Sequence, residues 1–116
     1  MSHKRILSFK YAFQGILIAI KDEPNLQIHL CIAALVFFLG EYLEITTLEW
    51  IILIITSGVV IALELTNTAI EEIVNSFTQD IHPSAKKAKD VAAGAVLVSA
   101  IMAIAIGLLV FLPYLH

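Results

Sequence analysis

Three long apolar stretches constrain this chain more than any other feature of its sequence. They run over residues 26–43, 48–65 and 91–115. Each is close to or above the roughly 20 residues that a helix needs to cross a hydrocarbon core about 30 Å thick. The hydrophobic share is 59% of 116 residues, well above the roughly 45–50% of an ordinary globular protein. The sequence therefore predicts one all-α membrane domain, 1–116, with three transmembrane helices.

The basic residues indicate which ends of the spans face the cytoplasm. They are Lys4, Arg5, Lys10 and Lys21 before the first span, and Lys86, Lys87 and Lys89 between the second and third. The loop 40–49 contains three glutamates and neither Lys nor Arg. Since cytoplasmic loops carry an excess of Lys and Arg, we expect the amino terminus and the 78–90 loop to be cytoplasmic. The net charge of −3 argues against a nucleic-acid partner, which needs a basic surplus.

Residues 1–22 predict an amphipathic helix on the membrane surface. Their apolar side chains recur at spacings of three and four against basic and amide side chains, as in a helix with one apolar face. A cytoplasmic helix packed on a partner has the same pattern, but the three neighbouring spans favour the membrane interface. The segment 22–24, Asp-Glu-Pro, marks a new helix start. Glu23 is thereby placed at the cytoplasmic entrance of the first span.

The second span ends in a polar stripe. Its members are Glu64, Asn67, Thr68, Glu71 and Asn75. At about 100° per residue they share one face of a helix that continues to about Phe77. Residues 48–65 already cross the bilayer, so Glu64 is expected near its inner boundary and Glu71 beyond it. A solvated face is the simpler interpretation. We favour a functional site, because an ionisable residue at membrane depth is costly.

The residue types in and around the stripe suit phosphoryl transfer. Mg²⁺ is usually held by one or two carboxylates together with substrate phosphates, and lysines supply point charges for phosphate. A carboxylate near the lipid can accept a proton from a hydroxyl group. Neither G-x-x-x-x-G-K-[ST] nor G-x-G-x-x-G occurs in the chain. Any nucleotide site is therefore of neither of these common kinds.

Four segments are specific enough to suggest a family. They are SFKYAFQG (8–15), DEPNLQIH (22–29), ELTNTAIE (64–71) and AKKAKDVAAGAVL (85–97). Almost the whole chain thereby resembles the small integral-membrane lipid kinases of bacteria, diacylglycerol kinase and undecaprenol kinase. The resemblance implies ATP-dependent phosphorylation of a membrane lipid alcohol in the bacterial plasma membrane. It also implies a homotrimer with active sites at protomer boundaries.

The same resemblance implies roles for individual residues. Glu64 would be the general base on the lipid hydroxyl, and Asn67 would support that site. Glu23 and Glu71 would hold the divalent metal, Mg²⁺. The nucleotide contacts would come from Tyr11, Glu23, Glu71, Asp80, His82, Lys89 and Asp90.

The chain departs from the pattern of these kinases at several positions, and those at the start of the first span bear on the choice between the two lipids. Asn75 stands where many relatives carry Asp, so it cannot supply a charge. His29 stands where the diacylglycerol branch tends to place an acid. Asn25 together with His29 is similar to the undecaprenol branch, although Pro24 stands where that branch often has Arg. We therefore expect undecaprenol to be favoured, with diacylglycerol close behind.

Two functions of other classes also suit three spans and a carboxylate. A small proton-coupled transporter would exchange protons through Glu64, but it predicts a carboxylate near mid-span, and Glu64 lies near an end. A noncatalytic assembly subunit would leave the acidic and basic site residues unexplained. Small residues recur every four positions in the third span, at Ala95, Ser99, Ala103 and Gly107. They permit close helix approach in lipid, either as an interface or as ordinary tolerance of small residues.

The spans also predict where the reaction takes place. Glu64 is expected at the hydrocarbon boundary, whereas Glu71 and Lys89 are expected in water. A lipid hydroxyl and a nucleotide can then meet only at the cytoplasmic interface. Because the bilayer already solvates the tail, recognition is expected to rest on the lipid head and its first few carbons.

Overall fold

The computed structural model describes residues 2–77 and 82–115, and the regular elements in these ranges are helices. They are α1 (His3–Asp22), α2 (Pro24–Leu43), α3 (Thr47–Phe77), α4 (Pro83–Phe111) and a 3₁₀ turn (Leu112–Tyr114). By length and composition, α2, α3 and the helical segment containing α4 are each able to cross a membrane. The predicted all-α membrane fold with three spans is confirmed.

The spans bury few side chains, because most of their apolar surface faces outward. Phe38, Ile54 and Leu109 are examples of large exposed side chains, as expected where lipid tails are as apolar as the side chains that they meet. The buried apolar cluster is formed by Ile45, Leu53, Val110 and Phe111, with Trp50 packed against it. The most extensive helix packing is between α3 and α4, and α2 packs less extensively on α3.

α1 has the surface properties of a helix that lies in an interface. Phe9 and Phe13 are exposed, and Ala19 is its one buried residue. α1 contacts α2 and α3 near its carboxyl end, where it forms part of a cavity with α3. The exposed apolar side chains of α1 are therefore available to the lipid surface.

The corner between α1 and α2 fixes the position of Glu23. This residue has an extended backbone, with φ −109° and ψ 105°, before Pro24 opens α2. Gln27 Nε2 donates to the carbonyl oxygens of Ile20 at 2.8 Å and Lys21 at 3.2 Å. These bonds satisfy carbonyls that the end of a helix leaves unpaired. The amide of Gln27 thus fastens the end of α1 to the first turn of α2.

α4 begins at Pro83, well before the apolar stretch that starts at Val91. His82 caps the helix, since its Nδ1 accepts from the Ala85 N–H at 3.4 Å. The segment 78–90 was predicted as a loop, and it is helical from Pro83 onward. Apolar periodicity misses these first turns because their side chains are mostly polar and exposed. The capping residue and Pro in the first turn were the available signals.

The amino-terminal end of α3 and the carboxyl-terminal end of α4 are joined through Glu49. The Thr46 N–H donates to Glu49 Oε1 at 3.0 Å, and the Glu49 N–H donates to Thr46 Oγ1 at 3.2 Å. This reciprocal pair is a capping box that starts α3. The Tyr114 hydroxyl donates to the same oxygen of Glu49. We call this set, Thr46, Glu49 and Tyr114, the Glu49 clasp.

Gly40 permits the close approach of the α2–α3 turn to α2. A Cβ placed there would lie 3.0 Å from Ile45 Cδ1 and from the ring of Trp50. We expect Gly40→Val to lower the free energy of unfolding by about 1–3 kcal/mol, the usual cost of overpacking. Thermal unfolding in detergent measures the loss. Gly94→Val is the matched control, because a Cβ at Gly94 meets nothing within 4 Å. Equal destabilisation of both variants would contradict the packing explanation.

Candidate active site

Glu64 is the most buried acidic side chain on the polar stripe of α3, with 3% of its surface exposed. Its Oε2 lies 3.6 Å from Nε2 of His29 on α2. Glu23 and Glu71 are also close enough to act electrostatically on its carboxylate. The fold therefore places a histidine from a second helix beside one buried carboxylate, and two further carboxylates act on it electrostatically.

The stripe continues along α3 through Asn67, which is 7% exposed. Asn67 Nδ2 donates to Glu71 Oε1 at 3.3 Å, one turn further along the helix. Two buried oxygens, Asn67 Oδ1 and Thr68 Oγ1, have no hydrogen-bond partner among residues 2–77 and 82–115. Buried polar atoms of folded proteins are nearly always paired. These two oxygens are therefore available to water or to a polar ligand.

The carboxyl-terminal end of the stripe meets α4. Lys89 Nζ donates to Asn75 Oδ1 at 3.1 Å. Asn75 thus positions the ammonium group of Lys89, although it cannot supply the negative charge of an Asp. Lys86 Nζ lies 2.5 Å from Asp90 Oδ2, one turn along α4 on the exposed surface. The contact to Asn75 places one ammonium group directly beside the polar stripe.

The other predicted nucleotide-contacting residues are exposed or lie outside the described ranges. Tyr11 is 62% exposed on α1. His82 is exposed, and its Nδ1 is engaged in capping α4. Asp90 is exposed and paired with Lys86. Asp80 lies outside the described residues. The contacts in the structure therefore bring Glu64, Asn67, Glu71 and Lys89 to one surface, and Glu23 within electrostatic reach of it.

A cleft of about 480 Å³ separates α1 from α3 beside this surface. Its lining includes Gly15 and Ala19 of α1 and Ala69 of α3, together with Glu23 and the unpaired hydroxyl of Thr68. The cleft is mixed in character, with an apolar wall from the surface helix and polar groups from the stripe. It leaves room next to Glu23 for a molecule that has both apolar and polar parts.

The carboxylates suit a hard cation. No group of three or more His, Cys, Asp or Glu side chains that could hold a metal occurs within 2–77 and 82–115. A smaller set is sufficient for Mg²⁺, which keeps several waters and is usually bound by one or two carboxylates together with phosphates. Glu23 and Glu71 would supply the carboxylates, and Asn67 Oδ1 is an oxygen without a hydrogen-bond partner among the described residues. This all-oxygen donor set fits Mg²⁺.

His29 is the site residue whose contact was missed by sequence reasoning, which used it only to distinguish lipid substrates. A signal was present, because His29 is the one His, Asp, Glu, Lys or Arg between Pro24 and Gly40. An ionisable side chain inside a span usually pairs with another one. Applied to His29 and to Glu64 on the next span, that rule predicts the observed contact.

Comparison with known proteins covers nearly the whole chain. The model of the prokaryotic diacylglycerol kinase family matches residues 10–111. An undecaprenol kinase from Bacillus subtilis is 45% identical over 108 residues, which are 93% of this chain and 88% of that protein.

Two diacylglycerol kinases are also similar. The protein from Synechocystis sp. is 39% identical over 109 residues, which are 93% of this chain and 62% of that protein. The protein from Haemophilus influenzae is 36% identical over 99 residues, or 81% of this chain and 80% of that protein. The matched range contains α2, α3 and α4 and every residue of the described carboxylate and lysine cluster. This chain therefore belongs to the prokaryotic diacylglycerol kinase family.

Proposed function

We propose that this lipid kinase transfers the terminal phosphoryl group of ATP to the hydroxyl of a membrane lipid alcohol, with undecaprenol preferred over diacylglycerol. The observation that carries the proposal is the buried carboxylate of Glu64, held between His29 and the polar stripe. Membership of a kinase family leaves the proton-coupled transporter without support. The 45% identity to an undecaprenol kinase favours the polyprenol over the glycerolipid.

In this proposal Glu64 is the general base. Its carboxylate takes the proton of the lipid hydroxyl as the hydroxyl oxygen attacks the terminal phosphorus of ATP. The bond between that phosphorus and the bridging oxygen breaks, and ADP leaves with the electron pair. His29 Nε2 lies 3.6 Å from Oε2 of this carboxylate and helps to hold it in place. The burial of Glu64 keeps bulk water from competing with the lipid as acceptor.

Glu23 and Glu71 would hold Mg²⁺ in this site. The ion, when bound, neutralises charge on the phosphates of the nucleotide. Asn67 orients the Glu71 carboxylate through its Nδ2 donor and so acts as a positioning residue. Lys89, whose Nζ is fixed by Asn75, would offer its charge to the phosphates. The remaining nucleotide contacts are proposed for Tyr11, Asp80, His82 and Asp90.

We also propose that the site faces the cytoplasm of a bacterial cell and belongs to a homotrimer. The orientation is supported by the basic residues, all of which lie before α2 or at the start of α4. A cytoplasmic site has access to ATP, whereas the lipid remains in the adjacent leaflet. The trimer is supported by the family resemblance.

A panel of lipid alcohols tests the proposal. The purified protein in vesicles is supplied with Mg-ATP and with polyprenols or diacylglycerol at equal mole fractions, and labelled lipid phosphate is measured. We expect label on both classes and a higher kcat/KM for the polyprenol. A higher kcat/KM for diacylglycerol would contradict the stated preference. Absence of label on every alcohol would contradict the kinase itself.

A further inference from the structure

An apolar groove lies between α2, α3 and α4, on the outer side of Glu64. Its volume is about 390 Å³, and its walls include Val36 of α2, Val60 of α3 and Gly107 of α4. Among the lining residues His29 is the one ionisable side chain, and the other polar members are the hydroxyls of Thr56 and Ser57. Thr56 donates to the Ile52 carbonyl oxygen of its own helix at 2.7 Å, so that hydroxyl already has a partner.

The inner end of this groove lies beside the proposed base. His29 lines the groove and also lies 3.6 Å from Glu64 Oε2. Val60 lines it one helical turn before Glu64 on α3. The outer end reaches Leu115. A molecule lying in the groove with its polar end inward would therefore present that end to the carboxylate of Glu64.

We propose that the groove holds the hydrocarbon chain of the acceptor lipid and keeps its hydroxyl at Glu64. This inference rests on the proposed kinase function. A polyprenol has a single hydroxyl followed by hydrocarbon only, which matches a groove with one ionisable side chain at its inner end. A diacylglycerol carries two ester groups close to its hydroxyl. Near His29 those esters would meet Val60, Ile61 and Ala100, which offer no side-chain donor, and an unpaired buried polar group is costly.

The groove favours the reaction by orienting the lipid, not by removing the lipid tail from water. The bilayer already solvates a hydrocarbon tail as well as apolar side chains do. A tail that fills the groove regains van der Waals contacts that a void lacks. It also restricts the lipid hydroxyl to positions near Glu64, which raises the effective concentration of the hydroxyl there. Recognition then extends beyond the head and first few carbons, in contrast to the expectation from the span lengths alone.

Two small residues on the α4 wall mark two different depths along the groove. Ala103 and Gly107 both line it, and Gly107 lies roughly 6 Å further out at 1.5 Å rise per residue. A Cβ added at Gly107 meets nothing within 4 Å. A larger side chain at either position would therefore extend into the groove and block it at a defined depth.

The experiment measures KM for a series of isoprenoid alcohols of increasing length, compared at equal membrane concentration in the full-length protein. We expect Ala103→Leu to raise KM for long alcohols about tenfold relative to the shortest one, the size of effect that a filled apolar pocket produces. Gly107→Leu should produce the same rise, beginning at a longer chain. Gly107→Ala, a milder change, should shift KM less and in the same direction.

Gly58→Leu is the matched control, since Gly58 is exposed on α3, does not line the groove and has nothing within 4 Å of an added Cβ. A rise in KM that is the same for every chain length, or the same in Gly58→Leu, would overturn the tail site. Loss of cross-linked oligomers in Gly107→Leu, together with equal losses on all alcohols, would instead assign the groove to a helix of a second copy. Wild-type protein that phosphorylates no alcohol would overturn the kinase function, whereas a flat length profile in active protein overturns the groove alone.

Discussion

Glu64→Gln is expected to lower kcat for lipid phosphorylation by about 10²–10⁴-fold, the usual contribution of a general base. The amide preserves the size and shape of the side chain beside His29 but cannot accept a proton from the lipid hydroxyl. Folding and Mg-ATP binding should remain close to those of the wild type, because the proposed nucleotide contacts lie elsewhere. Initial rates of labelled lipid phosphate at saturating Mg-ATP and polyprenol measure the effect.

The control for this prediction is Glu41→Gln, the same chemical change at an exposed position near the carboxyl-terminal end of α2. We expect this variant to keep the wild-type rate. Titration with Mg-ATP then separates a chemical defect from a binding defect in Glu64→Gln. Turnover within tenfold of the wild type would show that another group removes the proton, and the assignment of Glu64 would be wrong.

Replacing either carboxylate of the proposed metal site is expected to give the second largest effect. Glu23→Ala and Glu71→Ala each remove a charge and an oxygen ligand from a hard-cation site. We expect at least about tenfold weaker binding of Mg-ATP, since losing even an outer partner of a metal ligand costs 10–100-fold in metal affinity. Asn67→Ala should weaken binding less, because Asn67 acts on Glu71 through one hydrogen bond.

Equilibrium titrations of each variant with ATP, with and without Mg²⁺, measure the effect. The loss should be large with Mg²⁺ and small in chelator, because only the metal complex uses the carboxylates. Glu41→Ala serves as the control, at a distance from the site. Unchanged Mg-ATP affinity in both Glu23→Ala and Glu71→Ala would place the metal elsewhere. An equal loss with and without Mg²⁺ would show that the carboxylates act on the nucleotide or the fold instead.

The features that the sequence predicts well are those within one helix. The polar stripe of α3 follows from residue spacing alone, because the helical period fixes which side chains share a face. In the structure Glu64 and Asn67 are both buried, and Asn67 reaches Glu71 one turn away. The three spans follow equally directly from their length and apolar content.

The features that escaped prediction depend on how helices meet. The contact between His29 and Glu64 requires a particular rotation of α2 against α3, which periodicity does not encode. Lys89 reaches Asn75 only because α4 begins at Pro83 and returns alongside α3. The apolar groove likewise depends on the spacing between α2 and α4. In the sequence, its lining residues cannot be told from ordinary lipid-facing positions.

The Glu49 clasp has a consequence for how a substrate reaches the groove. Glu49 and Tyr114 tie α3 to α4 at one end, and Asn75 and Lys89 tie them at the other. The two helices thus form one stiff wall, whereas α2 packs on α3 over a smaller surface. We expect a small sideways displacement of α2, the less extensively packed wall, to open the groove to the acyl chains of the membrane. Alcohol and phosphorylated product would then exchange by two-dimensional diffusion, and we expect turnover to depend on the fluidity of the surrounding bilayer.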